Sequence, residues 1–144
     1  MSTTGTTLRT ACHLLNYYGL ADPNHPHYAM PDGRLTALAA LYRAATGTTP
    51  PPVHDDPDTA KQLMLAHPLV HDSIRWISAV LPTQPGLDED TNLPDHIDHI
   101  DHWAADTDPY TGHQPNTSDV IGLLLRAAHA ADTLTHTTAP RHAA

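Results

Sequence analysis

From Leu8 to Leu20, apolar residues fall at Leu8, Ala11, Cys12, Leu15 and Tyr18, a period near 3.6 that lines one face of a helix. Thr6 or Thr7 is the expected cap of this helix and Gly19 its expected end. A loop containing Pro23, Pro26 and Pro31 follows. Asp32-Gly33 then opens a second helix, Arg34 to Thr46, with Leu35, Leu38 and Leu41 as its stripe and Gly47 as its stop. The run from Thr48 to Pro57 carries Pro50, Pro51, Pro52 and Pro57, and consecutive prolines hold an extended backbone that cannot continue a helix. It is a stiff connector within one domain.

Beyond the connector, Asp58 to Ala66 reads as a short helix. Pro68, preceded by His67, takes the first position of another that runs to Leu81 with Ile74, Ile77 and Leu81 on its buried face. Pro82 to Leu93 reads as a surface loop with Pro85, Gly86 and an acidic cluster. Pro94 begins a further helix, with Asp95 in its first turn, where a carboxylate suits the positive end of the dipole. After a loop from Asp106 to Asn116, Thr117 or Ser118 caps the last helix, lined by Val120, Leu124, Ala127, Ala128 and Ala131, with Ile121 and Leu125 widening the stripe. Sustained period-two alternation occurs nowhere along the chain. The pattern predicts an all-α single-domain bundle of five to six helices over residues 1–134, with 135–144 as a disordered tail.

Composition narrows this further. At 144 residues the chain is long enough to bury roughly 65 to 70% of its unfolded surface, and with no Phe its core must be aliphatic. Lys61 and six arginines face sixteen acids, a formal net charge of −9. Nucleic acid and anionic membranes are therefore excluded as expected partners, since both require clustered cations to displace counterions, and a protein partner is left. Thirteen histidines would move the charge from −9 to −9 + 13 = +4 if all were protonated, so pH sensing is open to this chain. Cys12 is the only cysteine, which excludes an internal disulfide and a cysteine-based zinc knuckle. The N-terminal residues lack signal-peptide character and no apolar run reaches a membrane span, so the expected location is cytoplasmic.

The chemically suggestive tract is Asp95-His96-Ile97-Asp98-His99-Ile100-Asp101-His102-Trp103, three copies of an acid, imidazole, apolar triplet. On a helix the triplet makes three drifting rows: Ile97, Ile100 and Trp103 inward, with the His and Asp rows flanking them. Asp95 with His99 and Asp98 with His102 fall one turn apart. His96, His99 and His102 are the candidate metal ligands, with weak Zn or Ni binding as the expectation, because one helix leaves coordination positions to water. The competing reading is a solvated amphipathic helix built by duplication of a short coding repeat, and it is favoured.

Two enzyme patterns are weaker. His67-Pro68-Leu69-Val70-His71 has the ligand spacing of zinc proteases, but Pro68 stands where their general-base Glu belongs. His71-Asp72 resembles the adjacent metal ligands of HD phosphohydrolases, an all-helical family that also draws on an earlier His and a later Asp, positions that nothing in the sequence beyond chain order assigns to His54 and Asp132. In this composition chance alone gives about 1.4 His-Asp dipeptides, and two occur. Cys12 and His13 point about 100° apart on a helix, which suits a core thiol better than an activated one. His25 and His27 flank Pro26 in a loop and are expected to be solvated.

Three stretches resemble a family of small actinobacterial proteins classed as a domain of unknown function. They are Leu8, Ala11, Leu14, Leu15 and Gly19; Asp32-Gly33-Arg34-Leu35 before an Ala-Leu helix; and Trp103 followed, after a loop, by Ser118-Asp119-Val120-Ile121. The resemblance implies a helical module of bacterial origin and no activity. The expectation is an acidic, non-enzymatic interaction or accessory module, with a histidine-rich metal-binding protein and then a metal-dependent phosphohydrolase as the alternatives.

Overall fold

The computed structural model describes residues 3–22, 28–48 and 56–143, with side chains described as far as residue 134. Six helices form among them: α1 Thr4–Tyr18, α2 Ala37–Thr46, α3 Pro57–Ala66, α4 Pro68–Val80, α5 His96–Ala105 and α6 Thr117–Ala143. There are no strands among the described residues, only three isolated bridges. The expectation of a tail from Thr135 falls on residues whose side chains lie outside the described set, as does most of the proline connector. None of the helices is long and apolar enough to cross a membrane, among the described residues.

Caps explain where these helices start, and several differ from the expected ones. Thr3, rather than Thr6 or Thr7, caps α1, its side chain accepting from the Thr6 amide at 3.1 Å. α2 begins three residues later than expected. Thr36 caps it, while Arg34 and Leu35 are extended, the Leu35 amide donating to Gly19 O and its carbonyl accepting from Ala21 N. Gly47 closes α2 in the left-handed region (φ 81°), which glycine occupies without a Cβ penalty. His67 ends α3 and precedes Pro68 at the start of α4. Asp95 is the cap of α5 rather than a first-turn residue, and Pro94 lies outside the helix. At α6 the cap is Asn116, not Thr117 or Ser118: its Oδ1 accepts from Asp119 N at 2.9 Å, and Asp119 Oδ2 accepts from Asn116 N at 3.0 Å. That reciprocal pair satisfies two amide donors at a helix start.

Helix α1 lies against α6, α2 and α4, and α4 in turn carries α5 and α3. Leu15, Leu38, Ile77, Ile100 and Leu124, one from each of five helices, are all at most 2% exposed and belong to one aliphatic cluster. Each removes an apolar side chain from water, worth about 1.5 to 3 kcal/mol before conformational entropy is subtracted. Cys12 belongs to this core, its Sγ 3.8 Å from Ile121 O, and burial pushes its thiol up to about 11. Ile97 and Ile100 dock α5 onto the cluster, and Trp103 packs half-buried beside them.

The segment between α4 and α5 lies on the surface, as expected, and in addition is held by backbone pairing. Leu87 and Pro94 form an antiparallel bridge, Asp88 N donates to Leu93 O at 2.8 Å, and Asp95 N donates to Gly86 O at 2.9 Å. The Asp88 carboxylate accepts from the amides of Asp90 and Thr91, which closes the tip as a side-chain-stapled turn. These amide donors also hold the Asp88 carboxyl below its ordinary range. We refer to residues 86–95 as the hairpin.

Candidate functional site

The base of the hairpin meets the ends of α4 and α5 at a polar cluster that is buried at Ser78 and His99 and reaches the surface at Thr83. Ser78, in the last turn of α4, lies on the buried face defined by Ile74 and Ile77, and its hydroxyl has to find partners there. It finds two imidazoles. Ser78 Oγ is 2.7 Å from His99 Nδ1 and 2.9 Å from His96 Nδ1. His99 Nε2 is 2.7 Å from Thr83 Oγ1, on the chain leading from α4 into the hairpin. His96 and His99 are three residues apart, so one helical face presents both to the same hydroxyl. Ser78 is 2% and His99 6% exposed, while His96 is half-buried at the rim.

Both imidazoles are held below the ordinary histidine range. For His96 the main cause is burial, reinforced by the positive charge of Arg75 and the neighbouring His99 and His71, and opposed by Asp95. For His99 it is burial, opposed by Asp98. A buried imidazole is tolerated when its nitrogens are hydrogen-bonded, and both nitrogens of His99 are. The cluster can pass a proton between two rings through one hydroxyl. Ser78 itself is buried, so its hydroxyl is not an accessible nucleophile.

The structure therefore separates the three candidate metal ligands. His96 and His99 turn to Ser78, whereas His102 is exposed and pairs with its own helix, its Nδ1 3.0 Å from Asp98 O and 3.2 Å from Asp98 Oδ1. That carbonyl and carboxylate raise the pKa of His102 above its ordinary value. Among the described residues no group of three or more His, Cys, Asp or Glu side chains is placed to share a metal ion. The expected Asp98–His102 pair forms. Asp95 uses its carboxylate to cap Asp98 N at 3.0 Å.

His71 and Asp72 are exposed on α4, and Asp72 accepts from Thr4 Oγ1 at 2.6 Å. Asp132, offered as a further phosphohydrolase ligand, is instead ion-paired to Arg9 at 2.7 Å, while His54, like His25 and His27, lies outside the described residues. His67 keeps its Nδ1 buried without a hydrogen-bond partner.

A second perturbed pair was hidden in the sequence. Tyr28 OH donates to Asp101 Oδ2 at 3.3 Å, joining the loop before α2 to α5. Burial pushes the Asp101 carboxyl up to about 6, against the opposing pull of Lys61. Burial and the Asp101 charge together push the Tyr28 phenol up. In the triplet repeat Asp101 is indistinguishable from Asp95 and Asp98, and only tertiary packing singles it out. Ser78 did carry a signal: a serine four residues after Ile74, on an apolar stripe, calls for a buried partner.

Comparison with family models, with curated proteins and with solved structures finds no match to this chain.

Proposed function

We propose that this protein is a non-enzymatic interaction module that docks a protein partner through the hairpin. The observation that carries this reading is the pair Leu87 and Leu93, 60% and 63% exposed on a segment whose backbone is fixed by hydrogen bonds on both sides. A flexible loop loses binding energy to ordering, whereas a preformed one presents apolar side chains at little entropic cost. Asp88, Glu89 and Asp90 lie between the leucines, so the surface suits an apolar partner rimmed by basic side chains. Supporting the non-enzymatic part, the chain's thiol and its best-placed hydroxyl, Cys12 and Ser78, are both closed to solvent.

The test compares partners held by the wild-type chain with those held by a Leu87→Ser, Leu93→Ser double variant. A Leu65→Ser variant is the control, since Leu65 is also exposed, at 46%, but lies on α3. The expected result is a partner lost only with the hairpin variant, at unchanged melting temperature. Equal retention by all three proteins would remove the hairpin from the reading.

A further inference from the structure

We propose that Ser78, His96, His99 and Thr83 form a two-proton latch that holds the hairpin closed at neutral pH and lets it open in acid. This goes beyond the docking reading and does not depend on it, because the latch is built from side-chain contacts beneath the hairpin, whatever the hairpin binds.

Four groups are joined by three contacts, and the number of protons they can share is fixed. With both rings neutral, the chain of bonds can run in one of two directions. In the first, Thr83 donates to His99 Nε2, His99 Nδ1 donates to Ser78, and Ser78 donates to His96 Nδ1. In the second, His96 Nδ1 donates to Ser78, Ser78 donates to His99 Nδ1, and His99 Nε2 donates to Thr83. Either way every contact has one donor and one acceptor.

One added proton breaks nothing. In the first direction it goes to His99 Nε2, which then donates to Thr83 while the Thr83 hydroxyl turns away. In the second it goes to His96 Nε2, outside the chain. A second proton is different. Both Nδ1 atoms then carry hydrogen and point at one Ser78 oxygen, whose own proton has no ring acceptor left, and two cations share a buried site.

The groups facing the pair set the balance. From α4, Arg75 and His71 add positive charge and oppose the second proton; from α5 itself, Asp95 and Asp98 favour it. The hairpin side contributes the neutral Thr83. Relief comes at His96, which is half-buried in the first turn of α5 and can turn to water. The residue before it, Asp95, closes the hairpin through Asp95 N to Gly86 O and caps the helix through its carboxylate. Displacing His96 therefore loosens the junction that the hairpin depends on.

The experiment is amide hydrogen exchange on the full chain at about pH 7.5 and about pH 5, spanning the histidine range, with intrinsic rates corrected. The amides of Asp88, Asn92 and Asp95 report the hairpin, since each is a donor within it. In the wild type their protection should fall about tenfold or more on acidification, the equivalent of one pKa unit of differential protonation. Core amides of α1 should stay protected. In His96→Gln only one ring remains, the second proton has no place in the latch, and the fall should disappear. Constant hairpin protection in the wild type, an equal fall in His96→Gln, or a fall shared by the α1 amides would each overturn the latch. Failure of the docking test with a working latch, or the reverse, distinguishes the two ideas.

Discussion

Asp101 and the pair His96 and His99 pull stability in opposite directions with pH. A carboxyl raised from 3.8 to about 6 binds protons more tightly folded than unfolded. Its contribution is complete below its unfolded value and is lost as pH rises through about 6. The two imidazoles are lowered from 6.5, so the unfolded chain takes up their protons first, and their contribution is complete above 6.5 and lost as pH falls below it. Replacing Asp101 with Asn keeps an acceptor for Tyr28 OH and removes the buried charge. Denaturant unfolding should show Asp101→Asn stabilised by about 1 to 3 kcal/mol at about pH 7.5, with the gain vanishing near pH 4. A variant less stable than wild type at the higher pH would mean that the charge, held by Lys61, is worth more than its desolvation costs.

At the scale of the element, helix identity was readable and helix starts were not. The apolar stripe of α4 named its buried residues correctly, and those of α1 and α6 did so except at their margins, where Tyr18 and Ile121 are half-buried and Leu125 is exposed. Caps are different, since Thr3, Thr6 and Thr7, or Asn116, Thr117 and Ser118, are all competent and the choice follows from where the chain enters. Leu35 shows the same limit: it fits a helical stripe, yet its backbone pairs with Gly19 and Ala21, which local periodicity cannot foresee. The histidine repeat was the least legible, because the histidines of three like triplets were sorted into rim, buried and exposed positions by the packing of α5 on α4. Asn116→Ala should destabilise the protein by about 1 kcal/mol, and Ser118→Ala by much less, in thermal or denaturant unfolding. Equal effects would place the cap elsewhere.

At the scale of the whole molecule, stability rests on a largely aliphatic cluster, and among the described residues buried side chains from all six helices belong to it. Leu124 sits fully buried within it. Leu124→Asp introduces an unpaired carboxylate at a cost of several kcal/mol, comparable to the roughly 5 to 15 kcal/mol that hold a domain folded. Loss of the helical far-ultraviolet signal and of a cooperative thermal transition is the expected outcome, and a normal transition would contradict the core described here. The acidic balance of the chain bears on partners at the same scale: a gel-shift titration at physiological salt should show no submicromolar binding to duplex DNA.

The lone thiol gives this molecule a built-in timer. Cys12 is sealed in the core, and its proton is held far more tightly than in water, so a thiol reagent meets almost no reactive thiolate in the folded chain. Labelling has to wait for an opening large enough to part α1 from α6. Its rate then counts global unfolding events and ignores excursions of the hairpin, which joins the C-terminal end of α4 to the N-terminal end of α5 and contributes no residue to the core around Cys12. A single mass increment, followed over time without mutation or dye, separates the breathing of one segment from the failure of the whole.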